Sequence, residues 1–563
     1  MKNSDISAIF RAIGALLQIR GDDAFRARIY ERAADIIEGL SHELADMHTL
    51  AEFRAIPGIG KAIEDKTVEM IQTGRCKLYD ELTDEMGTEV LDLLDIRGVG
   101  VKTASRFYHE LGIRNLDDLG KALESGQLRR MKGIGKKILK LIAESLKFYA
   151  AQAGTRPLRE ALKMAERIAE MLKNAGVQRH AFTGALRRRE EICRGIDCVV
   201  QSDGEIEITR QSLLALLGEN AAVSDEDSNQ IQFRVERDFP VTLHLCIAAE
   251  YEATRFRTTA TEEHLVALRT APYPSAADTE ASIYQKMGLS YIPPELRGSA
   301  ESISAAAEGT LPHLIEFSDL RGDLHAHTDW SDGRNTLRDM IEAAKAAGFE
   351  YIAITDHSVS STVANGLDRE RLLRQIEQIR ELDAEIDSIT VLAGSEVDIR
   401  EYGYLDFPVE ILERLDIVVA SVHSHFTLSE ERMTRRIVRA IENPFVHILG
   451  HPTGRLLGRR PMYALNLEEI IAAAAENGTV LEINGSPSRL DLGPEFVHQA
   501  KRAGVQLAVN TDAHAISHLE HRHFGINVAR RGWLTKTDVI NTYTLEELNA
   551  TFGIGRGLFS GGR

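Results

Sequence analysis

Cysteine is scarce: the chain has four in 563 residues, Cys76, Cys193, Cys198 and Cys246, none in C-x-x-C spacing. That excludes a disulfide framework and a cysteine-ligated zinc site, and it suits a reducing cytoplasm. No apolar run approaches the length that spans a bilayer, and the opening MKNSDISAIF lacks the apolar stretch of a signal peptide, so no membrane partner is expected. An excess of positive charge is also missing. The net charge of −18 argues, averaged over the chain, against nucleic acid as a partner. The average hides an asymmetry, because residues 1–150 carry 23 Lys and Arg against 24 Asp and Glu, leaving nearly all of the acidic excess to the rest. Basic side chains in that first part are free to cluster locally. The length itself excludes a single core and predicts three or four domains.

Within the first 150 residues one pattern recurs three times, in AIPGIGKAI (Ala55–Ile63), DIRGVGVKTA (Asp95–Ala104) and RMKGIGKKIL (Arg130–Leu139). Each has Gly-apolar-Gly, then a lysine at the mouth of a helical pattern. The glycine pairs are Gly58 and Gly60, Gly98 and Gly100, Gly133 and Gly135; the lysines are Lys61, Lys102 and Lys136. Glycine permits positive φ and close approach of a ligand, and the N–H groups that open a helix favour an anion. A DNA phosphate fits that chemistry without any base being read. The three segments resemble helix-hairpin-helix DNA-binding motifs. Lys66, on the helix after the first hairpin, matches a position at which family X DNA polymerases carry a lysine able to act as a Schiff-base nucleophile on abasic sugar-phosphate. The bland alternative for Lys66 is a solvated face.

From Arg156 the chain resembles the catalytic core of those polymerases, with AFTGALRRREEICRGIDCVVQ as its most informative stretch. The family places Gly-Ser, an Arg pair and Asp-x-Asp here, and a third Asp on a later strand. This chain keeps Gly184, Arg187, Arg188 and Asp197, but has Ala185 for the Ser, Gly195 for the first Asp and Thr242 where the third is expected. Two divalent cations ~4 Å apart repel by roughly 17 kcal/mol at an effective dielectric of about 20. One carboxylate is too few to offset that, so the segment is expected to be the remnant of a polymerase site.

Beyond residue 300 apolar strand-like runs alternate with helical patterns, as in successive β-α units. The ends of those runs carry His325, His327 and Asp332 (RGDLHAHTDWSDG), His357 (YIAITDH), Glu396 (TVLAGSEVDI), His423 (IVVASVHSH), His451 (VHILGHP), and Asp512 and His514 (LAVNTDAH). One such histidine is usually a satisfied loop residue. Nine His, Asp and Glu at the carboxyl ends of strands, where a β/α barrel gathers its catalytic groups, indicate a metal site. Imidazole with carboxylate suits Zn²⁺, Mn²⁺ or Fe²⁺. The pattern closely resembles the polymerase and histidinol phosphatase (PHP) domain, a distorted seven-strand barrel holding a trinuclear metal cluster, and all nine ligand positions of that family are filled.

The resemblance implies a multidomain chain: an all-α helix-hairpin-helix region, an α/β nucleotidyltransferase-like middle and a C-terminal distorted (β/α)7 barrel. The domains expected are 1–85 with the first hairpin, 86–152 with two more, 153–300 as degenerate polymerase palm and thumb, and 318–563 as the PHP domain. It further implies action on DNA 3′ ends, gaps or nicks: metal-dependent 3′→5′ exonuclease or 3′-phosphatase chemistry in repair, with polymerase activity lost. Asp332, His357 and His423 are the expected catalytic residues, with Arg455 holding a phosphate and His425 either supporting a ligand from behind or facing substrate. Competing readings are an active gap-filling polymerase with a PHP exonuclease, a non-catalytic DNA-end scaffold, and a small-molecule phosphatase. A fragment beginning near Glu301 is expected to keep the metal chemistry and lose only the grip on DNA.

Overall fold

A computed structural model describes residues 1–40, 42–46, 56–217, 221–223, 229–236, 238–268 and 279–553. Ala55, the first residue of the first glycine segment, lies outside them. The chain begins with two packed helices, Asn3–Arg20 and Ala24–Glu38. Their facing residues, Ile6, Phe10, Ile13 and Leu17 against Ala27, Tyr30, Ala34 and Ile37, are buried at helical spacing. Gly21 closes the first helix in the left-handed region, and the Asp23 side chain accepts from the N–H of Phe25 to open the second.

The three glycine segments share one backbone form. Gly58, Gly98 and Gly133 have φ of 87°, 86° and 90°, which only glycine adopts without strain. Gly60, Gly100 and Gly135 are extended N-caps of helices Lys61–Thr73, Val101–Leu111 and Lys136–Ala151. A methyl group on any of these three N-cap glycines would meet nothing within 4 Å, so the helix openings face open space. The second and third hairpins pack on each other: Arg106 of one donates to the Lys132 carbonyl of the other at 2.9 Å.

The middle region is a five-stranded sheet in the order His180–Phe182, Ile196–Ser202, Phe239–Ile247, Gln230–Val235, Ala221–Val223. The second and third of these strands run parallel, which aligns Asp197 with Thr242. Helix Leu158–Asn174 supplies Leu158, Ala161, Ala165, Ile168 and Leu172 to the core formed with this sheet.

The C-terminal region is a seven-stranded parallel sheet whose spatial order follows the sequence: Gly322–Ala326, Tyr351–Ile354, Thr390–Asp398, Ile417–Ser421, Ile448–Leu449, Val480–Asn484 and Leu507–Asn510. Almost every strand residue is buried, as expected where helices cover one face and side chains fill the other. The sheet nearly closes. First and seventh strands meet at their carboxyl ends, where the His327 N–H donates to the Ala513 carbonyl at 2.8 Å. Among the described residues no helix is long and apolar enough to cross a membrane.

Candidate metal centre

The curl of the barrel brings all nine predicted side chains to one mouth. His325 and Glu396 lie within strands; His327, His357, His423, His451, Asp512 and His514 follow strand ends; Asp332 stands on the first loop. Three overlapping groups have ligand atoms within 4.8 Å of one another: His327, Asp332, His357 and His514; His325, His327 and Asp512; His357, Glu396 and His423. His451 joins them through Nε2, 2.9 Å from Glu396 Oε1. Glu396 sits at the centre, with His357 Nδ1 at 2.9 Å and His423 Nε2 at 3.2 Å. The mouth is a cavity of about 320 Å³. His451 and Asp512 hold positive φ, 27° and 53°, strain typical of functional positions.

The fit of cations to this site can be tested on the side chains themselves. His325 Nε2, His327 Nε2 and His357 Nδ1 are buried 3.5, 3.6 and 2.9 Å from Glu396 Oε2, and none of the four atoms is in a formed hydrogen bond. Leaving one such atom unpaired costs ~1–3 kcal/mol, and here they converge. Their protonation tendencies conflict as well. Burial works against the charge on His423, yet Glu396 and Asp398 raise it to about 10. Burial, then the neighbouring His514 and His357, lowers His327 to about 4. Burial opposes the charge on Glu396 too, but His423, His357 and His325 hold it well below the usual range. Imidazole and carboxylate donors with converging empty lone pairs suit divalent transition metals.

Orientation comes from residues that sequence reasoning missed. Glu482, on the sixth strand, accepts from His325 Nδ1 at 2.7 Å and from the His451 N–H at 2.7 Å. Asn510 and Asn484 donate to it in turn, at 3.0 and 3.1 Å. Asp398 accepts from His423 Nδ1 at 2.5 Å and from the Ser360 hydroxyl. The ring contacts to His325 and His423 leave their Nε2 atoms 3.5 and 3.2 Å from Glu396, the arrangement by which supporting carboxylates fix a ligating imidazole. The available signal was alternation: Asp398 lies two residues past Glu396 on one strand, hence on the same side.

Arg455 requires a correction. Its guanidinium is taken by Glu191 and by the Leu490 and Arg489 carbonyls, and it does not line the mouth. Arg489 does, with Nε 3.4 Å from Asp512. His425 is exposed on the loop after His423. A second correction concerns independence of the barrel. The loop bearing Asp332 is fastened to the first helical region: Arg334 reaches Glu38 at 3.2 Å, and Asn335 donates to the Gly39 carbonyl at 2.7 Å. Glu38 also meets Arg11 at 2.7 Å and His518, beyond His514, at 3.3 Å. Burial opposes its charge, but His518, Arg334 and Arg11 lower it to about 2. A barrel cut from the helices would lose that anchor.

Elsewhere the predicted residues are placed differently. Lys66 is half-buried on helix Lys61–Thr73, one turn from the glycines, its Nζ 3.4 Å from the Ala62 carbonyl. Asp197 accepts from His244 Nε2 at 3.0 Å. Gly184 turns against it so closely that a Cβ would stand 2.5 Å from Asp197 Oδ2, and at Gly195 a Cβ would meet the Pro240 carbonyl at 3.1 Å. Arg187 is bound bidentately by the buried Glu280, at 2.5 and 2.6 Å, which Arg297 also holds.

Family models match in three places: a helix-hairpin-helix domain over residues 1–76, a SAM-like helix-hairpin-helix tandem over 90–147, and a PHP domain over 323–486. A Bacillus subtilis protein named DNA polymerase/3'-5' exonuclease PolX is 32% identical over 98% of this chain and 99% of its own length. The chain belongs to the family X DNA polymerases that carry a PHP domain. Its barrel alone is similar to shorter proteins: one named a probable phosphatase from Thermoanaerobacter is 34% identical over 39% of this chain and 89% of its own length. Another, from Caldanaerobacter subterraneus, is 35% identical over 34% of this chain and 75% of its own. Membership of the family brings DNA binding by the hairpins and a metal-dependent PHP barrel.

Proposed function

We propose that this protein hydrolyses phosphodiesters at DNA 3′ ends, in the 3′→5′ direction, at the barrel mouth, and that it no longer polymerises. The observation that carries the reading is the convergence of the buried imidazole nitrogens of His325, His327 and His357 on Glu396 Oε2 at one cavity, none of them in a formed hydrogen bond. His325, His327, Asp332, His357, Glu396, His423, His451, Asp512 and His514 would hold the cations, three in number by the family pattern, zinc, manganese or iron. Bound there, they supply an activated water and stabilise charge on phosphorus and on the leaving 3′ oxygen. Glu482 and Asp398 keep the imidazoles of His325 and His423 turned inward. Arg489 at the rim is placed to meet a substrate phosphate, in the role first assigned to Arg455. The hairpins, through Gly58, Gly60 and Lys61, Gly98, Gly100 and Lys102, and Gly133, Gly135 and Lys136, hold the DNA backbone at their open helix starts.

Loss of polymerisation is supported by the self-sufficiency of the palm. Asp197 is paired with His244, Pro240 crowds Gly195, and Arg187 is neutralised by Glu280. The same barrel chemistry would serve a 3′-phosphate monoester, in line with the phosphatase names of the shorter relatives. The test is a 5′-labelled gapped duplex incubated with the protein in Mn²⁺, Zn²⁺ or Mg²⁺. Progressive shortening from the 3′ end, absent with His325→Ala or with chelator, is expected. Uncut DNA in every metal, from protein shown to be metal-loaded, would refute the reading.

A further inference from the structure

Between the third hairpin and the barrel lies a cleft of about 400 Å³ that the proposed chemistry has not used. Arg97, Lys137 and Lys140 line it from the helical side, Phe426 and Arg460 from the barrel. Among the described residues the one carboxylate in its wall is Glu144, 3.7 Å from both Arg97 and Lys140. In a chain of net charge −18 this is a local concentration of positive charge.

Arg460 is the element that asks for a ligand. Its Nε donates to the Gly454 carbonyl at 2.9 Å, and its guanidinium lies 4.4 Å from the Phe426 ring centre. The acid whose charge favours its protonated form is Asp491, which is occupied by the N–H and hydroxyl of Thr453 at 3.0 and 2.8 Å. Burial, then the charges of Arg489 and Arg97, lower its pKa to about 10. A half-buried guanidinium facing other guanidiniums is relieved by an arriving anion, and guanidinium matches phosphate geometry.

The cleft neighbours the metal mouth. The loop after the fourth barrel strand gives His423 and Ser424 to the mouth and Phe426 to the cleft. Arg489 stands at the mouth and acts on Arg460 in the cleft. A volume near 400 Å³ is that of a small-molecule pocket and admits a nucleotide or two of one strand, not a duplex. We propose that the cleft is a phosphate-binding subsite for the single strand being shortened, holding its backbone a few nucleotides upstream of the 3′ terminus in the mouth. This rests on the 3′-end reading above.

The consequence is a length dependence. Oligothymidylates long enough to reach the cleft should be hydrolysed with lower KM than a dinucleotide, which occupies the mouth alone. In the Mn²⁺-loaded full chain, Arg460→Ala and the surface double variant Lys137→Ala/Lys140→Ala should each raise KM for a 12-mer about tenfold, leaving kcat and dinucleotide hydrolysis unchanged. Arg460→Lys should recover part of the loss. A binding arm is independent of turnover: fluorescence anisotropy of the labelled 12-mer with His357→Ala protein should show the same weakening, and a salt slope smaller by about 0.7 per phosphate contact removed. Wild-type binding and salt slope in both cleft variants would overturn the subsite. Failure of wild-type protein to cleave even the dinucleotide would instead overturn the 3′-end reading, with the binding arm still deciding the cleft.

Discussion

The barrel mouth and the middle sheet both bring acids and histidines together, yet they differ in what those groups have left to bind. In the middle region they are engaged by protein groups: Asp197 Oδ1 by His244, Arg187 by Glu280. In the mouth, imidazoles and a carboxylate are buried with lone pairs and N–H groups unmet. Residue type alone does not distinguish a reacting site from a structural one. Unsatisfied valence does, because a fold keeps a costly unpaired group buried only where something else pairs with it.

The comparison breaks most visibly at the cluster. His357→Ala or Asp512→Ala is expected to reduce DNA hydrolysis by more than the roughly 100-fold that loss of a supporting residue costs. Chelation should mimic them, while hairpin-mediated affinity, read by gel shift, changes little. Wild-type rates in either variant would remove the mouth as the reacting centre.

The palm's charges should prove structural. Burial works against the Glu280 carboxylate, but Arg187 and Arg297 lower it to about 2 from 4.5. A depressed folded pKa gives stability that is complete above 4.5 and lost as pH falls toward 2. By that linkage Glu280→Gln should destabilise the region by about 3 kcal/mol near neutrality. Hydrogen exchange in helices Tyr251–Thr259 and Glu280–Lys286 would report it, with the difference from wild type shrinking in acid. Unchanged exchange at neutral pH would mean that Arg187 is not committed to the fold.

Glu482→Gln and Asp398→Asn should each lower metal affinity or activity by about 10- to 100-fold, since each holds an imidazole by its far nitrogen. Titration of apoprotein with Mn²⁺ would separate weaker metal binding from simple misfolding. A smaller effect is expected from Glu38→Ala, which frees the Asp332 loop: a several-fold drop in hydrolysis of a small chromogenic phosphodiester, a substrate that needs no hairpin. Equal rates would restore the view of the helical region as a targeting module only.

Much of this was legible in the sequence. The nine mouth residues stood out because each follows or ends an apolar run, and a parallel barrel sends all such ends to one face. The hairpin backbone was legible because only glycine accepts the φ of Gly58, Gly98 and Gly133. Asp398 offered only its alternation with Glu396, and Glu482 offered nothing, since a buried carboxylate inside an apolar strand looks like any other strand residue until its imidazole partner is placed. Arg455 misled because nearness in sequence to His451 says nothing of direction, and its side chain turns to Glu191 instead. The tie from Glu38 to Arg334 joins residues nearly 300 positions apart, a distance no local pattern spans.

The central claim is that one of these two sites reacts and the other does not. The direct measurement is a labelled primer on a gapped template with saturating dNTPs and Mn²⁺, comparing wild type, His325→Ala and Asp197→Ala. Shortened primers in wild type and Asp197→Ala, unchanged primers in His325→Ala, and no extension in any of the three are predicted. Extended primers in wild type and His325→Ala that vanish in Asp197→Ala would contradict the account, placing a living polymerase where the structure shows a paired aspartate.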